Sequence, residues 1–591
     1  MSAPLSLKQQ VAELLQSAVA LISPGHGETV ELERPKQAQH GDYATSVALK
    51  LARATRQNPR ALAEAVVRAL PASPLLAGVE VAGAGFINVQ LKPTAWVGVV
   101  RQILAAGKTY GRGAANLADK VQVEFVSANP TGPLHVGHGR GAAYGASLAN
   151  VLEAAGCQVS REYYVNDAGR QMDILALSTW LRYLEENGVH VPFPGNAYQG
   201  DYVRAMAQAI VSAHGSRYMH QADKILRNVP PRPEQSRLDK GDAAAKAANE
   251  AHLDGLIASA KRLLGVDYAY FHDFALNDQL SDCRADLEEF GVTFDNWFSE
   301  RSLFNLGLVE DAVARLKARG HLFEQDGALW FRSSKLGDEK DRVVRRANGE
   351  YTYFASDIAY HAHKYERGFA RMIDVWGADH HGYIPRVRAA LTALGLEPDR
   401  LTVALVQFAV LYRGGHKVSM STRAGDFVTL RELRAEVGND AARFYYVLRK
   451  SDQHLDFDLD LAKSQSNDNP VYYIQYAHAR ICSVLGEWGG DTAELAAADL
   501  APLTGPYETA LMRRLGEYPE TVAAAARELS PHLIAYYLRD LAGELHTYYN
   551  AEKFLVDNPA LRLARLALIT AVRQVLANGL ELLGVSAPTR M

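Results

Sequence analysis

A turn rich in glycine and proline constrains the fold of this chain more than any other segment. It covers residues 127–140, Ser-Ala-Asn-Pro-Thr-Gly-Pro-Leu-His-Val-Gly-His-Gly-Arg, and follows the strand-like run Val121–Val126. A helix-like stretch, Gly139–Ala155, and a second strand candidate, Gln158–Val165, come next. This order predicts a βαβ unit whose first turn lies at the carboxyl edge of a parallel sheet. Phosphate groups bind at that edge, because free backbone N–H groups and the helix dipole attract negative charge.

Two histidines, His135 and His138, lie in this turn rather than along the following helix. Their ring N–H groups can donate hydrogen bonds to phosphate oxygens, and Gly137 keeps a side chain out of the space between them. Metal binding is the alternative, because histidines three residues apart can bind one ion. No cysteine or acidic residue lies at ligand spacing, so the sequence predicts a nucleotide site without a resident metal.

Length and composition describe a multidomain globular protein. A chain of 591 residues is too long for one hydrophobic core, and 48% hydrophobic with 22% charged residues is ordinary for globular domains. No uninterrupted apolar run reaches about 18 residues, and the polar N-terminus does not resemble a secretion signal, so we expect neither a membrane span nor export. The three cysteines, Cys157, Cys283 and Cys482, lie too far apart for a zinc site or a disulfide framework, which favours a reducing cytoplasm.

Hydrophobic periodicity divides the chain into four regions, which together predict a multidomain α/β protein. A small N-terminal α/β domain comes first, and a Rossmann-like parallel-sheet domain with a helical insertion at about 172–300 follows it. A connecting region and a C-terminal α-helical bundle complete the chain. The predicted boundaries are 1–112, 113–415, 416–465 and 466–591.

The second half of the parallel sheet is predicted to resume after the insertion. Its candidate segments are Ala328–Phe331, Tyr351–Phe354, Met372–Trp376 and Val403–Leu411. The third of these runs into a Gly-x-Asp sequence, which places the Asp379 carboxylate at the carboxyl edge of the sheet. At that edge a carboxylate suits the hydroxyls of a ribose or the polar groups of a bound amino acid.

A basic segment, His416–Gly425, follows the last predicted strand. A mobile cationic loop at this place can neutralise phosphate charge as pyrophosphate leaves a nucleotide. Lys417 and Arg423 are the candidate cations, and Met420 and Ser421 lie between them. A basic surface loop without a catalytic role is the alternative, which the position between the sheet and the helical bundle disfavours.

Three motifs resemble the arginyl-tRNA synthetases, one family of class I aminoacyl-tRNA synthetases. Residues 127–140 resemble the family's nucleotide-binding signature, 82–88 resemble its N-terminal domain, and 469–478 resemble its anticodon-binding domain. The resemblance extends over essentially the whole chain. It implies that ATP, bound with Mg²⁺, activates arginine to arginyl-adenylate, and that arginine is then transferred to the terminal adenosine of its tRNA. It implies no permanently bound cofactor.

The same resemblance implies roles for individual residues. The catalytic set is His135, Gly137 and His138, with Lys417 and Arg423 as the loop cations. The ATP-binding set is Pro130, Gly132, His135, His138, Asp379, Met420 and Ser421. The arginine-binding set is Glu124, Ser127, Asn129, Tyr353, Asp357 and His380. The tRNA-binding set is Phe86, Asn88, Tyr472, Tyr476 and Tyr549.

The chain departs from the family pattern at two places. The family's mobile loop ends in Lys-Met-Ser-Lys, and Ser419 and Thr422 stand here where the two lysines are expected. Some members of the family also lack the second lysine. His380 stands where some members carry glutamine, which leaves its role the least secure of the arginine-binding set.

Residue patterns taken without the resemblance leave two assignments open. Independently of the family, Phe86 matches a core position better than an RNA contact. Tyr353 and Asp357, one helical turn apart, match an ordinary pair on a helix surface.

Two other classes of function share some of these features. Another class I synthetase or a small nucleotidyltransferase could carry the same turn, although a nucleotidyltransferase needs neither the helical bundle nor residues 1–112. A non-catalytic RNA-binding homologue could keep the fold, but the retained His135, His138, Asp357 and Asp379 disfavour it. We expect a monomer whose partners are tRNA, arginine and ATP, with no membrane contact.

Overall fold

The computed structural model describes residues 6–35, 37–113, 119–418 and 428–591, and the backbone forms two compact units. One unit comprises Met1–Ala118, Asn150–Cys157 and Ser464–Met591. The other comprises Asp119–Ala149 and Gln158–Lys463. The first unit therefore joins the two ends of the chain, and the second contains the predicted nucleotide-binding turn.

The N-terminal part of the first unit is a small α/β fold whose antiparallel sheet has the strand order β1-β3-β2. Its elements are α1 (Leu7–Ile22), β1 (Tyr43–Thr45), α2 (Val47–Thr55), α3 (Pro59–Ala69), β2 (Leu76–Ala82), β3 (Phe86–Leu91) and α4 (Pro93–Ala106). Helix α2 begins only at Val47, because Tyr43–Thr45 pairs with β3. Strand alternation buries Ile87 and exposes Phe86. The core position that the residue pattern favoured for Phe86 is therefore wrong.

The second unit is built on a parallel sheet of five strands in the order β11-β10-β4-β5-β6. From β4 to β6 the chain runs through β4 (Lys120–Glu124), α5 (Val136–Ala154), β5 (Gln158–Val165), α6 (Arg170–Glu186), α7 (Asp201–His214), α8 (Ala222–Leu226), α9 (Gln235–Asp239), α10 (Ala243–Leu264), α11 (Tyr268–Glu289) and β6 (Asn296–Ser299). The predicted strand–turn–helix–strand unit at 121–165 is confirmed. The predicted insertion is helical, but its last residues form the edge strand β6.

The remainder of this unit alternates short strands and helices. Its elements are α12 (Glu300–Asn305), α13 (Leu308–Ala318), β7 (Leu322–Gln325), β8 (Ala328–Phe331), β9 (Arg342–Arg345), α14 (Tyr353–Glu366), β10 (Arg371–Gly377), α15 (Ile384–Ala393), β11 (Leu401–Val406), β12 (Ala409–Arg413), β13 (His416–Lys417), α16 (Leu430–Val437), α17 (Asn439–Val447), β14 (Leu455–Asp458) and α18 (Leu459–Lys463). The described residues of this unit form three sheets: the parallel sheet of five strands, an antiparallel sheet in the order β7-β8-β9, and a sheet in the order β13-β12-β14.

Three of the four strand predictions for the second half of the sheet need correction. Residues 328–331 form β8 of the separate antiparallel sheet, since they pair with β7 and β9. Tyr353 and Phe354 open helix α14 instead of extending a strand. Residues 403–411 span two strands, β11 in the parallel sheet and β12 outside it. Short apolar runs do not reveal which sheet will accept them, because pairing depends on distant partners.

The strand order creates a switch point between β4 and β10. From β4 the chain winds to β5 and β6 on one side, and it later returns to β10 and β11 on the other. The loops that leave β4 and β10 therefore diverge, and a crevice opens where ligands of such sheets bind. Helix α14 buries Phe354, Ile358 and Ala362 in a core shared with α13 and α15. This packing fixes α14 beside the crevice.

The C-terminal part of the first unit is a helical bundle, as predicted. It consists of α19 (Pro470–Trp488), α20 (Thr492–Ala497), α21 (Pro506–Arg527), α22 (His532–Ala551) and α23 (Pro559–Leu583). By length and composition α23 could cross a membrane, but 78% of its most apolar window is buried within the structure. Its apolar residues thus belong to the core of the bundle.

Candidate active site

A cavity of about 540 Å³ lies at the carboxyl ends of β4 and β10. All six residues of the predicted arginine-binding set line it: Glu124, Ser127, Asn129, Tyr353, Asp357 and His380. They come from the end of β4, the following turn, helix α14 and the segment after β10. Residues separated by more than 200 positions in sequence therefore meet at the switch point.

Glu124, the last residue of β4, is held from three directions. Its Oε1 accepts a hydrogen bond from Ser127 Oγ at 2.9 Å. Its Oε2 accepts from Tyr360 OH at 3.0 Å and from Lys364 Nζ at 2.5 Å. Burial raises the pKa of Glu124, and the positive charge of Lys364 opposes that rise. The carboxylate is thus fixed in position with one oxygen turned toward the Ser127 side of the cavity.

Asp357 lies one helical turn after Tyr353 and is not an ordinary surface residue. Its Oδ2 accepts a hydrogen bond from Tyr383 OH. Burial raises the pKa of Asp357, while the Tyr383 hydrogen bond lowers it. The Tyr353 hydroxyl lies against Gly169, where a Cβ would be only 2.9 Å from it. Both members of the pair line the cavity, and Tyr353 is 54% exposed at its opening.

Glu300 is a cavity residue that sequence reasoning missed. It is 3% exposed, and its Oε1 accepts a hydrogen bond from Ser356 Oγ at 3.0 Å. Burial raises the pKa of Glu300 to about 7, and the negative charges of Asp357 and Asp167 add to the effect. Glu300 directly follows β6 at the carboxyl edge of the sheet. That position would have drawn attention to it had β6 been recognised as a strand.

His380 lies at the rim of the cavity rather than within it. Its side chain is 64% exposed, and its Nε2 is 3.7 Å from Asp379 Oδ2. Asp379 is also exposed and lies in the short helical turn Ala378–Tyr383 after β10. The predicted position of Asp379 at the carboxyl edge of the sheet agrees with the structure.

The two histidines of the turn stack on each other, with ring centroids 3.8 Å apart and planes inclined by 23°. The backbone N–H of Gly137 donates to His135 Nδ1 at 3.0 Å, and that of His135 donates to His138 Nδ1 at 3.3 Å. Each Nδ1 is therefore an acceptor, which leaves Nε2 as the protonated donor nitrogen. Burial lowers the pKa of His135, and burial together with the neighbouring His135 lowers that of His138 to about 3. Both rings are neutral donors near pH 7.

Gly137 is required by this stacking. A Cβ at Gly137 would lie 2.8 Å from His135 Cε1, closer than van der Waals contact allows. A Cβ at Gly132 would lie 3.1 Å from Tyr202 OH, whose hydroxyl donates to Thr131 O at 2.6 Å. Tyr202, the second residue of α7, thus holds the turn that contains Pro130 and Gly132.

Strained backbone marks the start of the turn. Val126 and Ser127 have φ values of 68° and 40°, a region that β-branched and other non-glycine residues rarely adopt. Each such residue costs on the order of 1–3 kcal/mol and is found where a site dictates the geometry. Here the geometry turns Ser127 Oγ to face Glu124, and the same oxygen accepts from Tyr164 N at 3.0 Å.

The segment that follows the predicted cationic loop is anchored at the histidine turn. Val136 N donates to Val428 O at 3.1 Å, and Leu430 N donates to Leu134 O at 2.8 Å. On the other side, Lys417 pairs with Tyr412 across the β12–β13 hairpin and is exposed. The predicted residues Met420, Ser421 and Arg423 lie outside the described residues.

Arg140 ties the same helix to those strands and was not singled out from the sequence. It is 1% exposed, and its NH1 donates to Gln407 O at 2.7 Å and to Gln453 O at 2.8 Å. Its NH2 donates to Lys450 O at 3.1 Å. The guanidinium therefore satisfies loop carbonyls next to β12 and β14 and fixes them relative to α5.

The predicted tRNA-binding residues lie on two surfaces of the first unit. Phe86 is 45% exposed on β3, and Asn88 is half-buried on the same strand. In the bundle, Tyr472 stacks on Tyr476 with centroids 5.9 Å apart. Arg480 lies over Tyr549 at 3.6 Å and over Tyr476 at 5.3 Å, so the three tyrosines form one patch with a cation.

Among the described residues, no group of three or more His, Cys, Asp and Glu is arranged to hold a metal ion. The carboxylates of the cavity are instead bonded to hydroxyl and ammonium groups. Their chemistry suits a ligand that supplies N–H donors and positive charge.

Family models match most of the chain. The model described as "tRNA synthetases class I (R), catalytic domain" matches residues 99–205 and 279–455. "Arginyl tRNA synthetase N terminal domain" matches 6–91, and "DALR anticodon binding domain" matches 474–591. The unmatched stretch between 205 and 279 lies within the helical insertion.

Similar proteins of full length are also known. "Arginine--tRNA ligase" from Azoarcus sp. (strain BH72) is 65% identical over 586 residues, which cover 99% of each chain. The protein of the same name from Aromatoleum aromaticum is 64% identical, again over 99% of each chain. The solved structure of Thermus thermophilus arginyl-tRNA synthetase superposes with a TM-score of 0.71 at 25% identity, covering 99% of this chain and all of that one.

Proposed function

Because this chain belongs to the arginyl-tRNA synthetase family and ligates arginine to tRNA, we propose that its arginine binds in the cavity between β4 and β10. The observation that carries this proposal is the convergence of six predicted contact residues on one 540 Å³ space. Three carboxylates face it, Glu124, Asp357 and Glu300, and a doubly cationic amino acid needs such partners.

The reaction dictates which way the amino acid lies. Its carboxylate must reach the α-phosphorus of ATP, and the histidine turn follows Ser127 and Asn129 in the chain. We therefore place the α-ammonium group beside Glu124 and Ser127. The guanidinium then extends toward Asp357 and Glu300, where the carboxylates offer paired acceptors to its planar N–H groups. Binding a guanidinium would also restore the ionised form of Glu300.

The nucleotide is proposed to lie along the turn and the N-terminal end of α5. Pro130 and Gly132 shape the turn, and His135 and His138 donate their Nε2–H groups to the phosphate oxygens as negative charge develops. Both rings are neutral near pH 7 with the proton on Nε2, so they stabilise the pentavalent centre by donating hydrogen bonds and not by positive charge. Asp379 would accept from ribose hydroxyls. Lys417, Met420, Ser421 and Arg423 stay predictions for the departing pyrophosphate.

ATP would bring Mg²⁺, held mainly by its phosphates. The arginine carboxylate attacks the α-phosphorus, and pyrophosphate leaves with its bridging oxygen. A ribose hydroxyl of the terminal tRNA adenosine then attacks the carbonyl carbon of the adenylate, and AMP leaves. No group of the enzyme is covalently modified in either step.

The tRNA would contact both ends of the chain. We assign residues 1–112 to the tRNA corner through Phe86 and Asn88, 113–415 to catalysis, 416–465 to the signature loop and connection, and 466–591 to the anticodon. Tyr472, Tyr476 and Tyr549 can stack on splayed bases, at about 1–3 kcal/mol per base. We further propose that the protein acts as a monomer in the cytoplasm.

Filling the cavity tests the arginine site directly. Ala168 lines it, and Ala168→Trp should abolish arginine binding measured by calorimetry while ATP binding is kept. Ala347→Trp, at an exposed turn, is the matched control and should bind both ligands normally. If folded Ala168→Trp protein binds arginine with unchanged affinity, the proposed site is wrong.

A further inference from the structure

Two carboxylates lie side by side beneath the proposed arginine site. Glu124 ends β4, and Asp374 is its Cα partner in the parallel register with β10. Glu124 is 8% exposed and Asp374 is fully buried. Two buried acids on neighbouring strands repel each other, so without a cation one of them would bind a proton.

Lys364 supplies the cation. Its Nζ lies 2.5 Å from Glu124 Oε2 and 2.6 Å from Asp374 Oδ1, and its side chain is 0% exposed. It reaches this place from α14, the helix that also carries Asp357. The ammonium group therefore joins both strands of the crevice to the helix that forms the opposite wall.

His361 completes the group from the same helix. Its Nδ1 is 2.7 Å from the carbonyl oxygen of Asp357, and its Nε2 is 3.0 Å from Asp374 Oδ2. The Asp374 carboxylate accepts hydrogen bonds only, so Nε2 of His361 is the donor to it. Asp374 is therefore bonded by two donors and is firmly ionised, and Lys364 is held in place by it.

We propose that Lys364 is a positioning residue for arginine: it offsets the repulsion between Glu124 and Asp374 and so keeps Glu124 charged and oriented toward the α-ammonium group of the substrate. Asp374 and His361 act one step further back by anchoring Lys364. This inference rests on the proposed placement of arginine in the cavity and adds Lys364 and Asp374, which do not line it, and His361, which does.

The other charged groups near Glu124 form pairs of their own. The Tyr360 hydroxyl lies 3.0 Å from Glu124 Oε2 and 2.7 Å from Glu162 Oε1, so its single proton is shared between the two carboxylates. Glu162 is paired with Arg367 through NH1 at 2.5 Å and NH2 at 2.8 Å. On β10 and α14 the remaining neighbours are Asp374 and His361. Lys364 is thus the cation in direct contact with Glu124 among the described residues.

The test is a pair of variants, Lys364→Gln and Lys364→Gln/Asp374→Asn, assayed by ATP–pyrophosphate exchange with tRNA present. Lys364→Gln should raise the KM for arginine by about tenfold or more at pH 7, since Glu124 then binds a proton. The KM for ATP should stay within about twofold, because the histidine turn is untouched. The arginine KM of this variant should fall more steeply than that of wild type as the pH is raised from 6.5 to 9, because Glu124 then ionises in addition to Glu300.

The double variant separates this account from a merely structural role. With both Lys364 and Asp374 neutral, the repulsion is gone and Ser127 and Tyr360 still hold Glu124. Its arginine KM should therefore return to within about threefold of wild type, better than the single variant. An arginine KM for the double variant as high as or higher than that of Lys364→Gln, or a single variant whose KM falls with pH no more steeply than that of wild type, would overturn the proposal.

A folding check and one further variant, Asp357→Asn, keep the test decisive. If Lys364→Gln does not fold, as judged by thermal unfolding, the double variant still carries the prediction of a near-normal arginine KM. Asp357→Asn tests the placement of arginine separately. An unchanged arginine KM in Asp357→Asn refutes the site itself, whereas a raised KM there with a normal KM in Lys364→Gln refutes only the role of Lys364.

Discussion

Replacing Asp357 by asparagine should convert an arginine-selective site into one that barely distinguishes arginine from its neutral analogue. Asparagine keeps the shape and one acceptor oxygen but removes the charge that faces the guanidinium. Losing one partner of a desolvated, hydrogen-bonded ion pair costs about 2–5 kcal/mol. We take about 3 kcal/mol, because Glu300 also lies beside the guanidinium and retains part of the attraction. A loss of about 3 kcal/mol corresponds to roughly a 150-fold lower kcat/KM for arginine.

Citrulline makes the assay specific to this interaction. It replaces one guanidinium nitrogen by oxygen and carries no side-chain charge. In ATP–pyrophosphate exchange with tRNA present, Asp357→Asn should lower kcat/KM for arginine and leave that for citrulline nearly unchanged. The arginine-to-citrulline ratio should therefore fall by roughly two orders of magnitude.

Tyr383→Phe is the matched control. It removes the hydroxyl that donates to Asp357 Oδ2 and leaves the carboxylate charge in place. Its effect on arginine should be below roughly tenfold, the range of one hydrogen bond. A selectivity ratio that is unchanged in Asp357→Asn, or one that falls equally in Tyr383→Phe, would refute the assignment of Asp357 to the guanidinium.

Three further outcomes follow from the same geometry. His138→Ala should slow adenylate formation by at least about 100-fold, whereas His138→Gln, which retains a neutral N–H donor, should slow it by only about tenfold. Because the pKa of His138 is about 3, its ring should not titrate in the wild-type pH–rate profile between pH 6 and 8. Equal rate losses in the two variants, or a histidine titration in that pH range, would contradict a neutral donor. Burial raises the pKa of Glu300 to about 7 from 4.5 in the unfolded chain, so the stability that its neutral form contributes is present below pH 4.5 and is lost as the pH rises through 7. The unfolding free energy of Glu300→Gln, measured with denaturant, should therefore gain about 3 kcal/mol relative to wild type between pH 4.5 and 7. A difference between the two proteins that does not change with pH would contradict this. Phe86→Ala should raise the KM for tRNA while the KM for ATP is unchanged. A loss of thermal stability with a normal KM for tRNA would show that Phe86 stabilises the fold and does not contact tRNA.

Local patterns were sufficient to predict the strand, turn and helix that contain the two histidines. The turn at 127–140 carries its own geometry, since glycines, prolines and the two histidines are adjacent in sequence and the flanking strand and helix have clear periodicity. The contacts of Gly137 with His135 are of the same local kind. Such features depend on neighbours within a few residues, which a sequence displays.

Features that depend on distant partners were harder to predict. Ala328–Phe331 has the composition of a buried strand, yet its partners are β7 and β9. Glu300 was missed because β6 is four residues long and ends an insertion whose other elements are helices. Phe86 was expected in the core but faces outward, because Ile87 and Val89 take the buried side of β3.

Lys364 is the clearest case of a residue whose position depends on partners distant in sequence. In the sequence it is one basic residue near the end of an amphipathic helix, which favours a solvated surface position. Its burial follows from two acids that lie 240 and 10 residues away. Only the register of β4 with β10 brings those acids together, and no local pattern encodes that register.

The central claim is that arginine occupies the cavity at the switch point with its guanidinium at Asp357. A crystal structure of the protein grown with arginine and ATP tests it most directly. The account predicts density for arginine between Glu124 and Asp357, with guanidinium nitrogens within about 3 Å of the Asp357 carboxylate and the phosphates at His135 and His138. An empty cavity with arginine bound elsewhere, or an arginine whose guanidinium points to the histidine turn, would contradict it.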